Sequence, residues 1–389
     1  MIKWLFAPNM KADRTRLFVL IALVAAALFA ILEGRFLPGG SQQRFYSTRP
    51  DDLLGIVMRY IRDSYVEERD PSLVVEGAYR GLVNSLDPLS SYLDPAAAAR
   101  YLSRESALYE TGLVVVKTYR VFPQVIAVRE GSPAEKAGLR PGDALSGIDG
   151  RNPLSWSLLE TNLALRDADA RPVKLRVIRE TDTFETTVER ARLAPVPAEL
   201  APLGTGGVLV RVHRLAAPLA DDVRAGLLQQ LRGRKGPVVV DLRNCDTGEV
   251  EEARKFLGLF TSGAALGWFE KRAGIKEPFG WSKAPEFKDV PVVVWTNAGT
   301  IGPAEIVAGV LQEARQAKVV GRETPGLAAK QEIYPLQDDS VLLLTSGVFT
   351  LASGRKLWEM GLTPDVKVPA GEQGQAAYLK RTQTLFPSL

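Results

Sequence analysis

The sequence predicts a multidomain chain: an N-terminal transmembrane helix, a small helical unit, a β-rich domain and an α/β core domain. Three observations carry this reading. Leu17 to Leu32 is an unbroken apolar run behind Lys3, Lys11, Arg14 and Arg16. Leu53, Ile56, Val57, Tyr60 and Ile61 recur at helical spacing. Beyond Val208, β-branched runs alternate with helical periodicity, which is the pattern of an α/β domain. A length of 389 residues also exceeds what one hydrophobic core usually organises.

The apolar run is closed by Glu33 and, at ~1.5 Å per residue, extends about 24 Å, enough to span when flanking side chains snorkel. It carries no small-residue cleavage pattern after its end, so it reads as an uncleaved signal anchor, with a cleaved signal peptide as the alternative. The basic flank places residues 1–40 as cytoplasmic tail and anchor, single-pass in the inner (cytoplasmic) membrane. The bulk then faces the periplasm or the cell exterior.

Residues 41–105 form the helical unit, with one helix around Leu53 to Ile61 and a second from about Pro71 to Leu86. Residues 106–194 turn to short strands, with clean alternation at Val173, Leu175 and Val177. Pro195, Pro197 and Pro202 with Gly204, Gly206 and Gly207 read as a linker. Residues 195–389 then carry strands at Val208 to Val212, Val238 to Leu242, Val292 to Thr296, Val319 to Val320 and Val341 to Thr345. The helices between them centre on Val223 to Leu231, Val250 to Phe260 and Ile306 to Leu311. That order implies a sheet that is at least partly parallel, with chemistry at strand ends and helix N-termini.

Composition excludes several functions. Basic residues exceed acidic ones by only four and are dispersed, which argues against nucleic acid. Cys245 is the sole cysteine, so neither an intrachain disulfide nor a cysteine zinc cluster can form, and the sequence calls for no metal and no cofactor. His213 is the sole histidine and reads as a solvated strand-end residue; a Ser-His-Asp triad would have to be built around it, and no G-x-S-x-G elbow occurs.

Three segments in order resemble the carboxyl-terminal processing (tail-specific) serine proteases. The first is Tyr65-Val-Glu67 with Leu86-Asp-Pro-Leu-Ser-Ser-Tyr-Leu93. The second is Gly131-Ser-Pro-Ala-Glu-Lys-Ala-Gly-Leu-Arg-Pro-Gly-Asp143, which resembles a PDZ core. The third comprises Lys235-Gly-Pro-Val-Val-Val-Asp-Leu-Arg-Asn244, Asn297-Ala-Gly-Thr-Ile-Gly-Pro-Ala-Glu305 and Gly361-Leu-Thr-Pro-Asp365. The resemblance implies a β-rich PDZ domain over 106–194 and an α/β protease-like core over 195–389.

In that family a serine attacks the peptide and a lysine is its base. The resemblance aligns those positions with Gly302 and Leu327, neither of which can do the chemistry. The oxyanion loop aligns with Asn244-Cys-Asp-Thr-Gly248, in which Thr247 and Gly248 are the degenerate hole and Asp246 opposes the charge the hole would stabilise. Thr300 reads as a turn residue, Cys245 as structural, Glu313 as a solvated helix charge, and Lys330 as facing away. The PDZ resemblance implies peptide capture at Gly112, Leu113 and Val114, with Leu158 and Asn162 on the groove helix Ser157 to Leu165.

The expected function is a membrane-anchored pseudoprotease that binds protein C-terminal tails or an active protease relative. The alternatives are an active serine-type endopeptidase using displaced residues and a structural partner in an envelope complex.

Overall fold

A computed structural model describes residues 50–103, 109–193, 196–204, 206–232, 236–369, 371–372, 374–387 and 389. The run Leu17 to Leu32 and the Gly39 to Ser41 spacer lie outside the described residues, and among those described no helix is long and apolar enough to cross a membrane. The described residues fall into two compact units, 50–71 and 72 onward. In the first, helix α1 (Pro50–Ser64) carries Leu53, Val57 and Tyr60 as an exposed apolar stripe.

Helix α2 (Pro71–Asn84), in the second unit from Ser72 onward, starts on a proline and ends two residues earlier than its periodicity suggests. Asn84 stops it by turning its side chain to the Ser155 carbonyl (3.2 Å) while accepting from the Tyr92 amide (3.2 Å). A short strand β1 (Ser91–Leu93) follows, then α3 (Pro95–Leu102), capped by Asp94.

The β-rich domain contains β2 (Tyr109–Glu110), β3 (Leu113–Val116), β4 (Gln124–Val128), α4 (Pro133–Lys136), β5 (Ala144–Ile148), α5 (Leu158–Leu165), β6 (Arg166–Asp167), β7 (Val173–Arg179) and β8 (Asp182–Val188). Its sheet runs β3-β4-β5-β7-β8, all antiparallel, and β2 pairs with β6. The alternation that predicts β7 places Val173, Leu175 and Val177 inward, fully buried. A reciprocal capping box between Ser157 and Glu160 fixes the start of α5.

The core domain comprises β9 (Ala198–Leu203), β10 (Gly207–Val212), α6 (Leu219–Gln230), β11 (Val238–Asp241), α7 (Val250–Leu257), β12 (Gly263–Glu270), β13 (Lys276–Trp281), β14 (Val292–Thr296), α8 (Pro303–Ala314), β15 (Lys318–Gly321), β16 (Ala329–Pro335), β17 (Val341–Leu351), β18 (Val366–Lys367) and α9 (Gln375–Leu385). One sheet runs β18-β15-β14-β11-β10-β9 and is parallel except for β9. The expected linker is therefore corrected: β9 is a strand, and its Pro202 is tolerated because β9 is the sheet edge.

A second sheet, β1-β17-β12-β13 with β16 on β17, was not read from the sequence. β17 reaches Leu351, beyond the predicted Thr345, because it pairs with three strands at once. Helices α6 to α8 and aromatic residues of the second sheet cover one face of the parallel sheet. Helix α9 covers the other through Tyr378 against Leu209, Val239, Val293 and Trp295.

Candidate functional site

The carboxyl end of β14 turns sharply into α8. Thr300, fully buried, ties the turn: its hydroxyl donates to the Leu242 carbonyl (2.9 Å) and accepts from the Asn297 amide (3.0 Å). The next amide, Ile301, bonds the Cys245 carbonyl (3.1 Å). Gly302 then adopts φ +63°, ψ −118°, a region L side chains rarely occupy. A Cβ there would meet only the Leu327 carbonyl oxygen, at 3.7 Å. A sharp strand-to-helix turn presents the nucleophile in α/β-hydrolases. Here the space is open and the residue has nothing to present.

Glu305, fully buried in the first turn of α8, holds the surroundings together. Its carboxylate accepts from the amides of Gly302 (3.0 Å), Gly326 (2.7 Å) and Leu327 (2.7 Å) and from the Thr324 hydroxyl (2.5 Å). Burial pushes its carboxyl up to about 6, against the pull of these four donors. One side chain thus fixes the helix N-terminus and the segment 324–327 together, in the position the helix dipole favours for an acid.

Leu327 is 7% exposed, and its side chain packs with Ile301, Ala329 and Trp358 in one apolar cluster with Val114, Leu145, Leu175 and Val188 of the β-rich domain. The two domains therefore share a core beside Gly302. Lys330 is directed elsewhere, to Glu277 at 2.9 Å.

The loop after β11 lies against the same turn. Asn244, at φ +58°, exchanges two hydrogen bonds with Asn297 (3.0 and 2.8 Å). Cys245 is fully buried in the main core, and burial together with the Asp246 charge pushes its thiol above the ordinary range. Asp246 corrects the expectation that its charge bears on an oxyanion. It is clamped by Arg129 (3.0 Å) and Arg166 (2.6 Å), both from the β-rich domain, while Arg129 also reaches Glu110 (3.1 Å) and the Asn244 carbonyl (3.1 Å). The Thr247 carbonyl accepts from the Leu215 amide (3.1 Å), and Gly248 bridges to Leu215, so this loop is committed to its neighbours.

The profile of Peptidase family S41 matches residues 209–368, and that of the PDZ domain matches 124–179. Along 96% of its length the chain is 27% identical, over 386 residues, to carboxy-terminal processing protease CtpA of Bacillus subtilis (strain 168), covering 81% of that protein. Along nearly its whole length the chain is similar to carboxyl-terminal processing proteases. It is likewise 27% identical over 327 residues to the carboxy-terminal-processing protease of Bartonella bacilliformis, covering 81% of this chain and 74% of that one. The solved photosystem II D1 C-terminal processing protease superposes with TM-score 0.66 at 22% identity, over 81% of this chain and 88% of that one, and shows the shared fold.

Within this carboxyl-terminal processing protease fold, the PDZ residues named from sequence fall unevenly. Gly112 (φ +88°) lies so close to Ser132 that a Cβ would sit 2.2 Å from the Ser132 Cβ, and Leu113 donates its amide to the Thr111 hydroxyl (3.3 Å). Val114 is buried and pairs with Ala127. Leu158 requires correction: the capping box turns it into the domain core at 6% exposure, and Asn162 is the half-buried residue of the pair on α5. His213 is also corrected, since it is mostly buried, beside Glu199 at 3.5 Å, with burial lowering its affinity for a proton. Glu313 is not simply solvated, because it accepts from the Ser353 amide (2.6 Å) and hydroxyl (2.7 Å) and fixes the turn after β17.

Two functional features escaped the sequence reading. Glu305 had a signal, an acid at the third position of a helix opened by proline. The Asp246 clamp had none, since its arginines lie more than 75 residues away in the chain.

Proposed function

We propose that this chain is a pseudoprotease of the family that captures C-terminal tails, or an active protease relative, and returns them uncut. One observation carries it. At the turn where the fold would present a nucleophile, Gly302 has no side chain and the position after Gly326 is a leucine packed into the interdomain core. The rival, an endopeptidase using displaced residues, needs a hydroxyl or thiol beside a base. The Thr300 hydroxyl is committed to two backbone groups, the Cys245 thiol is buried and disfavoured from ionising, and Lys330 is paired with Glu277.

Capture is supported by the sheet edge. Among the described residues β3 pairs with no strand but β4, which leaves its other backbone row without a strand partner, and the amides at Gly112 and Leu113 stand at its start. Anchoring in the inner membrane, with the bulk in the periplasm or outside, rests on the Leu17 to Leu32 run and its basic flank.

The test is a titration of the full chain with a ten-residue peptide ending in apolar residues and with its amidated twin. Micromolar binding by the free acid, weaker binding by the amide, and recovery of intact peptide by mass spectrometry are expected. A cleaved peptide overturns the reading; intact peptide without binding favours a structural partner instead.

A further inference from the structure

A cavity of about 500 Å³ opens at the carboxyl ends of β10, β11, β14 and β15, on the α9 side of the sheet, roofed by the PDZ segment from Ile126 to Gly131. Gly302, Leu327 and the peptide-capture residues named above do not line it, but Asn244, Asn297 and Ala298 of the adjoining turn do, so it neighbours that site. This is where open α/β sheets place ligands.

Its floor is rigid and carries Arg211, Arg243 and Arg322 against Asp241 and Glu199, and Glu135 lines it beside Glu130. Arg243 grips Asp241 in a fork (2.8 and 2.7 Å) and stacks on the rings of Trp295 (5.1 Å) and Tyr378 (4.5 Å). The Tyr378 hydroxyl is in turn pinned to the Thr296 carbonyl at 3.0 Å. Fork and stack leave the outer edge of a guanidinium as the presented face, held without rotamer freedom. Arg211 stands 3.5 Å from the same Asp241 and donates to the Gln375 side chain (2.6 Å). Arg322 donates to the carbonyls of Pro369 (3.1 Å) and Glu372 (3.0 Å), just before α9.

One aspartate thus answers two arginines, and a third arginine stands alongside. The N-terminus of α9 adds to this: among the described residues no side chain caps it and no acid occupies its first turn. From the roof, Glu130 approaches this floor. Both its oxygens lie 3.7 Å from where a Gly374 Cβ would be, and its charge acts on Arg243, yet among the described residues it forms no ion pair.

We infer that this cavity is a second ligand site, taking the oxyanion of a carboxylate or phosphate on Arg243, Arg211 and the α9 N-terminus, with Glu130 as an electrostatic gate that opposes entry. The planar fork of an arginine fits either oxyanion. Its volume admits the last few residues of a peptide as well as a free anion.

Calorimetry on the full chain separates these sources, with N-acetyl-trialanine as free acid, the same peptide as its amide, and inorganic phosphate. Binding of the acid or of phosphate should weaken at least fivefold in Arg211→Gln and tighten about threefold in Glu130→Gln. Glu130 is exposed, so that variant keeps the test sharp if Arg211→Gln folds poorly. These responses with the acid assign the site to peptide termini, and the same responses with phosphate alone assign it to free anions. Absence of binding by both, equal binding of acid and amide, indifference to both variants, or loss of peptide binding only in Asn162→Lys of the PDZ helix would each overturn the inference.

Discussion

The two faces of the parallel sheet meet its carboxyl edge in opposite ways. On the α8 face, at Gly302, the Thr300 hydroxyl and the amides of Gly302 and Leu327 are claimed by neighbours, and the flanking Leu327 belongs to an apolar core shared between domains. On the α9 face the same edge opens into a charged cavity whose arginines are fixed but still accessible. The difference teaches that one sheet edge can hold committed polar groups on one face and accessible charges on the other. The groups around the open space at Gly302 are committed to neighbours while the charges one face away stay accessible.

The sharpest way to break the α8 face is Glu305→Ala. It strands four donors in the interior, and a loss of roughly 3–5 kcal/mol in urea unfolding is expected. The pH dependence of the same group refines this. Because burial raises its carboxyl to about 6, its contribution to stability is fully present below the ordinary glutamate range and is lost as pH rises through 6. Relative to Glu305→Gln, the unaltered chain should lose about 2 kcal/mol between pH 4 and pH 7. A parallel pH profile in the two proteins would contradict that account.

Next in size is Asp246→Ala, which leaves Arg166 and Arg129 facing each other without their shared carboxylate. About 2–4 kcal/mol of thermal stability should go, with little sensitivity to salt because the aspartate side chain is 4% exposed. A loss that vanishes in high salt would show the clamp to be a surface pair. Gly302→Ser should cost only about 1–2 kcal/mol, from a serine held at positive φ in a space that admits its Cβ, and should gain no hydrolysis. Smallest is Lys330→Met, which breaks a half-exposed pair with Glu277 and should shift stability by less than ~1 kcal/mol. A larger loss would mean that Lys330 has a role beyond that pair.

Much of the architecture was legible because it rests on local periodicity. The alternation at Val173 to Val177 and the helix after Pro303 needed only neighbours along the chain, and strand Val292 to Thr296 was read to the residue. The second sheet was not legible, since β1 and β17 pair across some 250 residues and the pattern of β12 is broken by Gly263 and Gly267 where its register shifts. Pro202 misled for a related reason: proline speaks against a strand only when both sides of the strand are paired. In the site, Gly302 and Leu327 could be singled out by the motif around them. What surrounds them, the apolar bridge to the PDZ domain and the Arg129–Asp246–Arg166 clamp, depends on two domains meeting, which no local pattern encodes.

The measurement that bears most directly on the account is hydrolysis of a generic unfolded protein by the full chain, run beside Thr300→Ala and Cys245→Ala. The account predicts no turnover above the enzyme-free blank in any of the three, because Thr300 is bound to backbone and Cys245 is sealed in the core. Turnover by the unaltered chain that disappears in either variant would contradict it and establish a working nucleophile beside Gly302.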